Sequence, residues 1–174
     1  KKLVDAGLTV GPAVDFAANE LAIIVPTTNP AGIKAPADLA RAGVKIIAAG
    51  DAVPITKYAN QLVDNLAMAP GYPTDFAAAY KANIMSKEDN VKAVVAKLEL
   101  AEGDAGIAYV TDARASTKLA TVDVVPESAN VQATYAGAIV KASKNADQAG
   151  AFLTWFSGPD GQAILAGFGF LPPT

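Results

Sequence analysis

Cysteine and histidine are both absent from this 174-residue chain. Without cysteine the chain has no disulfide framework, no thiolate metal ligand and no cysteine nucleophile. Without histidine it lacks the side chain that most often serves as a general base and as a transition-metal ligand. Both absences argue against an enzyme.

Charged residues and long apolar runs are also scarce. Charged residues make up 18% of the chain, the net charge is -3, and no cluster of Lys and Arg suggests nucleic-acid binding. The apolar runs are far shorter than the roughly 20 residues that span a bilayer, and no signal peptide is visible. The 52% of hydrophobic residues is nevertheless ample for a folded core.

Strand-like and helix-like segments alternate along the chain. Residues 21–26, 44–48 and 105–110 are buried-type strands, whereas residues 55–68 and 91–100 have helical periodicity. Ser86-Lys87-Glu88-Asp89 has the form of a capping box before the second helix, and a short strand is expected at residues 122–125. The alternation predicts an α/β fold with mostly parallel sheets flanked by helices.

Two predicted helix starts could bind an anion. They lie at residues 51–56 and at Asn90-Val91, where free backbone N–H groups and the helix dipole favour negative charge. Most helix starts in α/β proteins bind only water, so geometry alone does not select these two. Tyr109, within an apolar strand, is by itself more typical of a core residue.

An enzyme is the alternative from another class, with Asp51 or Asp112 as the working carboxylate. Asp104 and Asp112 flank one strand, but its length would separate them by roughly 20 Å, which is too far to share a substrate. The sequence also shows no combination of a nucleophile, a base and an orienting group.

Several motifs, taken in order, resemble the periplasmic molybdate-binding proteins of ABC transporters, within the type II solute-binding protein family. They are residues 16–21 (FAANEL), 24–26 (IVP), 29–33 (NPAGI), 88–94 (EDNVKAV), 103–113 (GDAGIAYVTDA), 158–165 (GPDGQAIL) and 169–172 (GFLP). No motif is decisive alone, but the ordered set covers almost the whole chain.

The resemblance implies a periplasmic-binding-protein-like fold of two α/β lobes joined by two crossing strands. Residues 20–125 would form one complete lobe, and residues 1–19 and 126–174 would form the remainder of the other. We expect the family's N-terminal segment, with two hydroxyl-bearing ligand contacts, to be missing. A chain without that segment could bind nothing, or could self-associate through exposed sheet edges.

Three ligand contacts follow from the resemblance. Ile55 and Val91 would each donate a backbone N–H to the oxyanion, and Tyr109 would contribute its hydroxyl. The ligand would be molybdate or tungstate, held without a cofactor or direct metal coordination, and sulfate or another oxyanion is the alternative. The protein would work in the periplasm or outside the cell, associated with the membrane through an ABC permease or a removed lipid anchor.

Overall fold

A computed structural model describes residues 2–122 and 125–173 of the chain. In chain order the elements are α1 (Lys2–Asp5), β1 (Val14–Asn19), β2 (Leu21–Pro26), a 3-10 helix (Pro36–Ala40), β3 (Ile46–Ala49), α2 (Pro54–Met68), α3 (Phe76–Ala82), β4 (Ile84–Glu88), α4 (Val91–Glu99), β5 (Ala105–Tyr109), α5 (Val110–Ala115), β6 (Leu119–Thr121), β7 (Ala133–Gly137), α6 (Ala146–Ser157) and α7 (Pro159–Gly167). None of the described helices is long and apolar enough to cross a membrane.

The chain divides into two compact units. Residues 20–132 form the central unit, and the two ends of the chain, up to Asn19 and from Ala133, form the terminal unit. The central unit extends seven residues beyond position 125, where the resemblance implies that the complete lobe ends. That these units are a whole and a partial lobe stays a prediction.

The central unit contains a five-stranded sheet in the order β4-β3-β5-β2-β6. β3 pairs in parallel with β4 and β5, whereas β2 pairs antiparallel with β5 and β6. The α/β class is confirmed, but the sheet is mixed because β2 runs against its neighbours. The chain enters β2 from β1 across Glu20 alone, so no helical crossover sets its direction as it does for parallel strands.

Helices cover both faces of this sheet. A Cβ on Gly106 of β5 would lie 3.0–3.1 Å from Leu98 and Val94 of α4, whereas the next residue, Ile107, faces a cavity lined by α2 and α3. Successive strand residues point to opposite faces, so α4 lies on one face and α2 with α3 on the other. All of β2 is buried, as expected for its continuous apolar run.

The terminal unit is built around a two-stranded antiparallel sheet, β1 with β7. Ala18 and Leu171 exchange backbone hydrogen bonds of 2.8 and 2.9 Å, which fix the C-terminal tail beside β1. Phe16 contacts the rings of Phe156 and Tyr135. Helix α6 has no buried residue among those the structure describes.

Three local predictions differ from the structure. Residues 84–88 form the edge strand β4, and Asn90 rather than Ser86 caps α4, because its side chain accepts a 3.0 Å hydrogen bond from the Ala93 N–H. The strand predicted at 105–110 ends at Tyr109, where α5 begins. The strand expected at 122–125 falls partly on residues 123 and 124, outside the described residues, and β6 lies at Leu119–Thr121.

Candidate functional site

Three parallel strands of the central unit end at the same edge of the sheet. Ala49, the last residue of β3, pairs with Glu88, the last residue of β4, and β3 also runs parallel to β5. Helices α2, α4 and α5 begin within five residues of these strand ends. This edge therefore has the arrangement in which open α/β sheets bind ligands.

Helix α2 begins at Pro54, which has no N–H, and Thr56 fixes this start to the end of β3. The Thr56 hydroxyl lies 3.1 Å from the Ala49 carbonyl and 2.7 Å from the Gly50 carbonyl. The side chain of Ile55 is 2% exposed, and its backbone N–H has no hydrogen-bond partner among the described residues. The buried side chain therefore fixes the position of Ile55, while its backbone N–H in the first turn of α2 is available to a ligand.

Helix α4 begins next to this loop. The Gly50 N–H donates to the Glu88 carbonyl at 2.8 Å, which joins the turn after β3 to the end of β4. At the helix start the Asn90 side chain accepts a hydrogen bond from the Ala93 N–H. The N–H groups of Val91 and Lys92 have no hydrogen-bond partner in residues 2–122 and 125–173. Two adjacent donors are therefore available at this N-terminus.

Tyr109 is the last residue of β5 and lies directly before α5. Its N–H donates to the Asp112 carboxylate at 3.3 Å, and the next N–H, that of Val110, donates to the Glu20 carbonyl at 2.9 Å. Burial raises the pKa of Asp112, although the Tyr109 hydrogen bond and the charge of Lys92 oppose that shift. The side chain of Tyr109 is half-buried.

The structure thus brings Ile55, Val91 and Tyr109 to one sheet edge, as parallel strand ends require. That they contact a ligand stays a prediction.

An ion pair behind this edge keeps the local charge balanced. The Lys97 ammonium lies 2.7 Å from the Glu88 carboxylate and 2.9 Å from the Ser86 hydroxyl, which itself donates to Glu88. The hydrogen bond from Lys97 lowers the pKa of Glu88 below its usual value and raises that of Lys97. The charges of Glu88 and Lys97 therefore neutralise each other, beside the backbone N–H groups that this edge offers as hydrogen-bond donors.

The carboxylates considered for an enzyme are occupied elsewhere. Asp51 is exposed and pairs with Lys87 at 2.7 Å, while Asp112 caps α5. Asp104 accepts a 2.8 Å hydrogen bond from the Lys45 N–H, which ties the start of β5 to the chain just before β3. In the part of the chain that the structure describes, no cluster of three or more acidic side chains could hold a metal ion.

The sequence did not reveal two supporting contacts. Thr56 fastens the α2 start through its hydroxyl, and Asp112 fastens the α5 start through its carboxylate. A threonine two residues after a proline at a helix start was a usable signal for the first contact. An acidic residue three positions after the end of a strand was the corresponding signal for the second.

Known proteins resemble this chain along almost its entire length. The molybdate-binding protein ModA of Mycobacterium tuberculosis is 30% identical over 168 residues, which are 97% of this chain and 60% of the mycobacterial protein. The chain therefore spans less than two thirds of the length of that relative.

Two solved structures show the same fold. The substrate-binding domain of a putative molybdenum ABC transporter from Clostridium difficile aligns with a TM-score of 0.76 at 27% identity, covering 99% of this chain and 72% of that one. The sulfate-binding protein SubI of Mycobacterium tuberculosis aligns with a TM-score of 0.72 at 20% identity, covering 98% of this chain and 64% of that one. Each of these descriptions is of a binding protein and none is of an enzyme, as the sequence predicted. Residues 1–171 match the bacterial extracellular solute-binding protein family, and the chain belongs to that family.

Proposed function

We propose that this chain supplies oxyanion contacts in a solute-binding protein that captures molybdate for an ABC importer. The observation that supports this most is that two helix starts meet at one sheet edge, where the N–H groups of Ile55 and Val91 have no partner among the described residues. The name of the mycobacterial relative supports the choice of molybdate.

Neutral donors suit a tetrahedral dianion. Backbone N–H groups at helix N-termini bind anions without a paired lysine or arginine, so the chain's net charge of -3 is no obstacle. The proposed contacts are the N–H groups of Ile55 and Val91 and the hydroxyl of Tyr109. Fixed donors also select against an anion that must keep a proton, because that proton would face another donor.

This selection by donors would treat tungstate like molybdate, since the two ions are nearly equal in size. Sulfate carries the same charge but is smaller, and the fold alone does not distinguish it, because a sulfate-binding protein shares that fold. We therefore include tungstate in the proposal and treat sulfate as the competing ligand.

The remaining parts of the proposal concern the assembled transport system. Residues 20–125 would act as one lobe and residues 1–19 with 126–174 as part of a second, joined by two crossing strands. The ion would lie in the cleft and lobe closure would sequester it before delivery to a membrane permease. This work would take place in the periplasm or outside the cell, and the family description as extracellular supports that location.

Self-association is a further part of the proposal. β4 and β6 are the outer strands of the central sheet, and the sheet in the described part of the terminal unit has two strands. Unpaired strand edges can pair with a second copy of the chain. Sedimentation that shows a concentration-dependent dimer would support this, and a clean monomer at every concentration would contradict it.

Calorimetric titration of the chain with molybdate, tungstate and sulfate tests the ligand assignment. We expect saturable heat from molybdate and tungstate with similar affinities, and binding of sulfate that is at least about tenfold weaker, a difference of about 1.4 kcal/mol. Saturable heat from sulfate, with none from molybdate, would overturn the assignment of molybdate as the ligand. If none of the three anions gives saturable heat, the proposal that this chain binds an oxyanion is wrong.

A further inference from the structure

A cavity of about 480 Å³ opens within the central unit, and Ile55, one of the proposed oxyanion contacts, is among the residues that line it. It lies on the face of the sheet that α2 and α3 cover, and its apolar walls include Ala48, Ile84 and Ile107. Val91 and Tyr109 do not line it, and α4 packs on the opposite face. Its size falls in the range of small-molecule pockets, roughly 300–1,000 Å³.

A buried tyrosine hydroxyl opens into this cavity. Tyr80 of α3 is 3% exposed and lines the cavity, and its hydroxyl makes no hydrogen bond with the rest of the described chain. It is not among the unpartnered polar atoms that the protein seals from solvent, so it keeps some solvent access, and the cavity that Tyr80 lines is the opening beside it. Buried tyrosine hydroxyls normally have a partner, and this one has none among the residues that the structure describes.

The hydroxyl is suited to donating a hydrogen bond at neutral pH. Burial raises the pKa of Tyr80 well above its ordinary value, so the phenol keeps its proton. A ligand oxygen that accepts a hydrogen bond would satisfy this group, whereas a hydrocarbon would leave it unpaired.

The mouth of the cavity is positively charged. Lys81 and Lys87 both line it and are exposed to solvent. Lys87 pairs with Asp51 at 2.7 Å, but Lys81 forms no ion pair with any described residue. Two ammonium groups against one carboxylate leave an excess of one positive charge, which favours an anionic group on a ligand at the mouth.

We propose that this cavity is a second binding site, for a small carboxylate with an apolar body and an acceptor oxygen at its far end. The carboxylate lies beside Lys81, the body contacts Ala48 and Ile107, and the far oxygen accepts from the Tyr80 hydroxyl. The site shares Ile55 with the proposed oxyanion contacts, whereas Val91 and Tyr109 lie outside it, and it does not rest on the function proposed for them.

4-Hydroxybenzoate is the probe, because it combines a carboxylate, a ring and a phenolic oxygen at opposite ends. In an NMR titration of the full chain we expect saturable shifts at Ala48, Tyr80 and Ile107. Tyr80→Phe should weaken 4-hydroxybenzoate about three- to tenfold, the range of one hydrogen bond, and leave benzoate unchanged. Tyr58→Phe, the same change in a half-buried tyrosine outside the cavity, should alter neither.

Two further variants separate the parts of the site. Lys81→Gln should weaken both carboxylates, and Ala59→Leu should fill the cavity and abolish both. Without a probe, Tyr80→Phe should keep or raise the melting temperature, because no protein hydrogen bond is lost. The proposal is overturned if the probe does not saturate, if Tyr80→Phe acts like Tyr58→Phe, or if Tyr80→Phe lowers the melting temperature.

Discussion

The central and terminal units differ in where their large apolar side chains lie. All twelve of the largest fully buried side chains among the described residues belong to the central unit, from Leu21 to Leu98. Of the twelve large hydrophobic residues that are exposed in the described part of the chain, nine belong to the terminal unit, and Phe152 and Phe168 are 58% and 68% exposed. The central unit therefore has a core of its own, while the terminal unit presents much of its apolar surface to solvent.

The two units also differ in polar contacts. Each ion pair between described residues lies in the central unit, at Asp38, Asp51 and Glu88 with their basic partners. The terminal unit relies on the β1–β7 pairing and on aromatic contacts around Phe156. The proposed oxyanion contacts thus lie in the unit with the core, which can hold backbone donors in fixed positions.

A matched pair of phenylalanine truncations should show the largest difference. Phe76 is fully buried and packs edge-on against Tyr72 at 5.0 Å, so Phe76→Ala should lower the free energy of unfolding by about 3–5 kcal/mol. Phe152→Ala removes an exposed ring and should cost about 1 kcal/mol or less. Urea unfolding followed by circular dichroism measures both, and equal costs would contradict the contrast between the units.

A pair of glycine substitutions should show a smaller difference. A Cβ at Gly106 would lie 2.8 Å from the Ile47 carbonyl oxygen, and rigid backbone must then shift, so Gly106→Ala should cost about 1–3 kcal/mol. A Cβ at Gly137 would lie 2.6 Å from the end of the Leu153 side chain, which can rotate away.

Gly137→Ala should therefore cost less than about 1 kcal/mol, because alanine also loses less backbone entropy than glycine on folding. Thermal unfolding of both variants tests the difference. A greater loss in Gly137→Ala would show that the terminal unit is packed as tightly as the central one.

The smallest expected effect is a pH dependence from Glu88. Its lowered pKa means that the Lys97 pair stabilises the fold above the unfolded-state value near 4.5, and that this contribution is lost as pH falls through the folded-state value. Glu88→Gln should flatten the fall in the free energy of unfolding as the pH drops below the unfolded-state value. Asp51→Asn, at a carboxylate that is 80% exposed, is the control and should leave the curve unchanged.

Much of the fold could be predicted because its signals are local. The apolar run of β2 and the periodicity of α2 and α4 are confirmed, with helix bounds within about two residues. β4 was missed because only Ile84 and Met85 are apolar in this edge strand, and its residues alternate between half-buried and exposed. The direction of β2 was also missed, because strand pairing depends on contacts distant in sequence.

The candidate site could be predicted only in part. The strand before α2 was predicted, so the sequence placed the α2 start at a strand end, but the structure was needed to show that α4 follows the parallel strand β4 and begins at the same edge. Only the structure shows which N–H groups are available at the α4 start. Asn90 accepts from the Ala93 N–H, and the N–H groups of Val91 and Lys92 have no partner among the described residues. The role of Tyr80 could not be predicted from the sequence either, because only the packing of the folded chain shows that this residue lines a cavity.

The most direct test is calorimetric titration of molybdate into Val91→Pro and Val91→Ala. Proline at the first position of α4 removes the Val91 N–H and suits a helix start, and Asn90 already has the extended backbone that precedes a proline. Alanine removes the side chain but keeps the donor. We predict that Val91→Pro weakens molybdate binding about tenfold or more, as expected for a lost hydrogen bond to a charged ligand, and that Val91→Ala changes it less than about threefold. Equal affinities in the two variants would contradict the assignment of the Val91 N–H as an oxyanion donor.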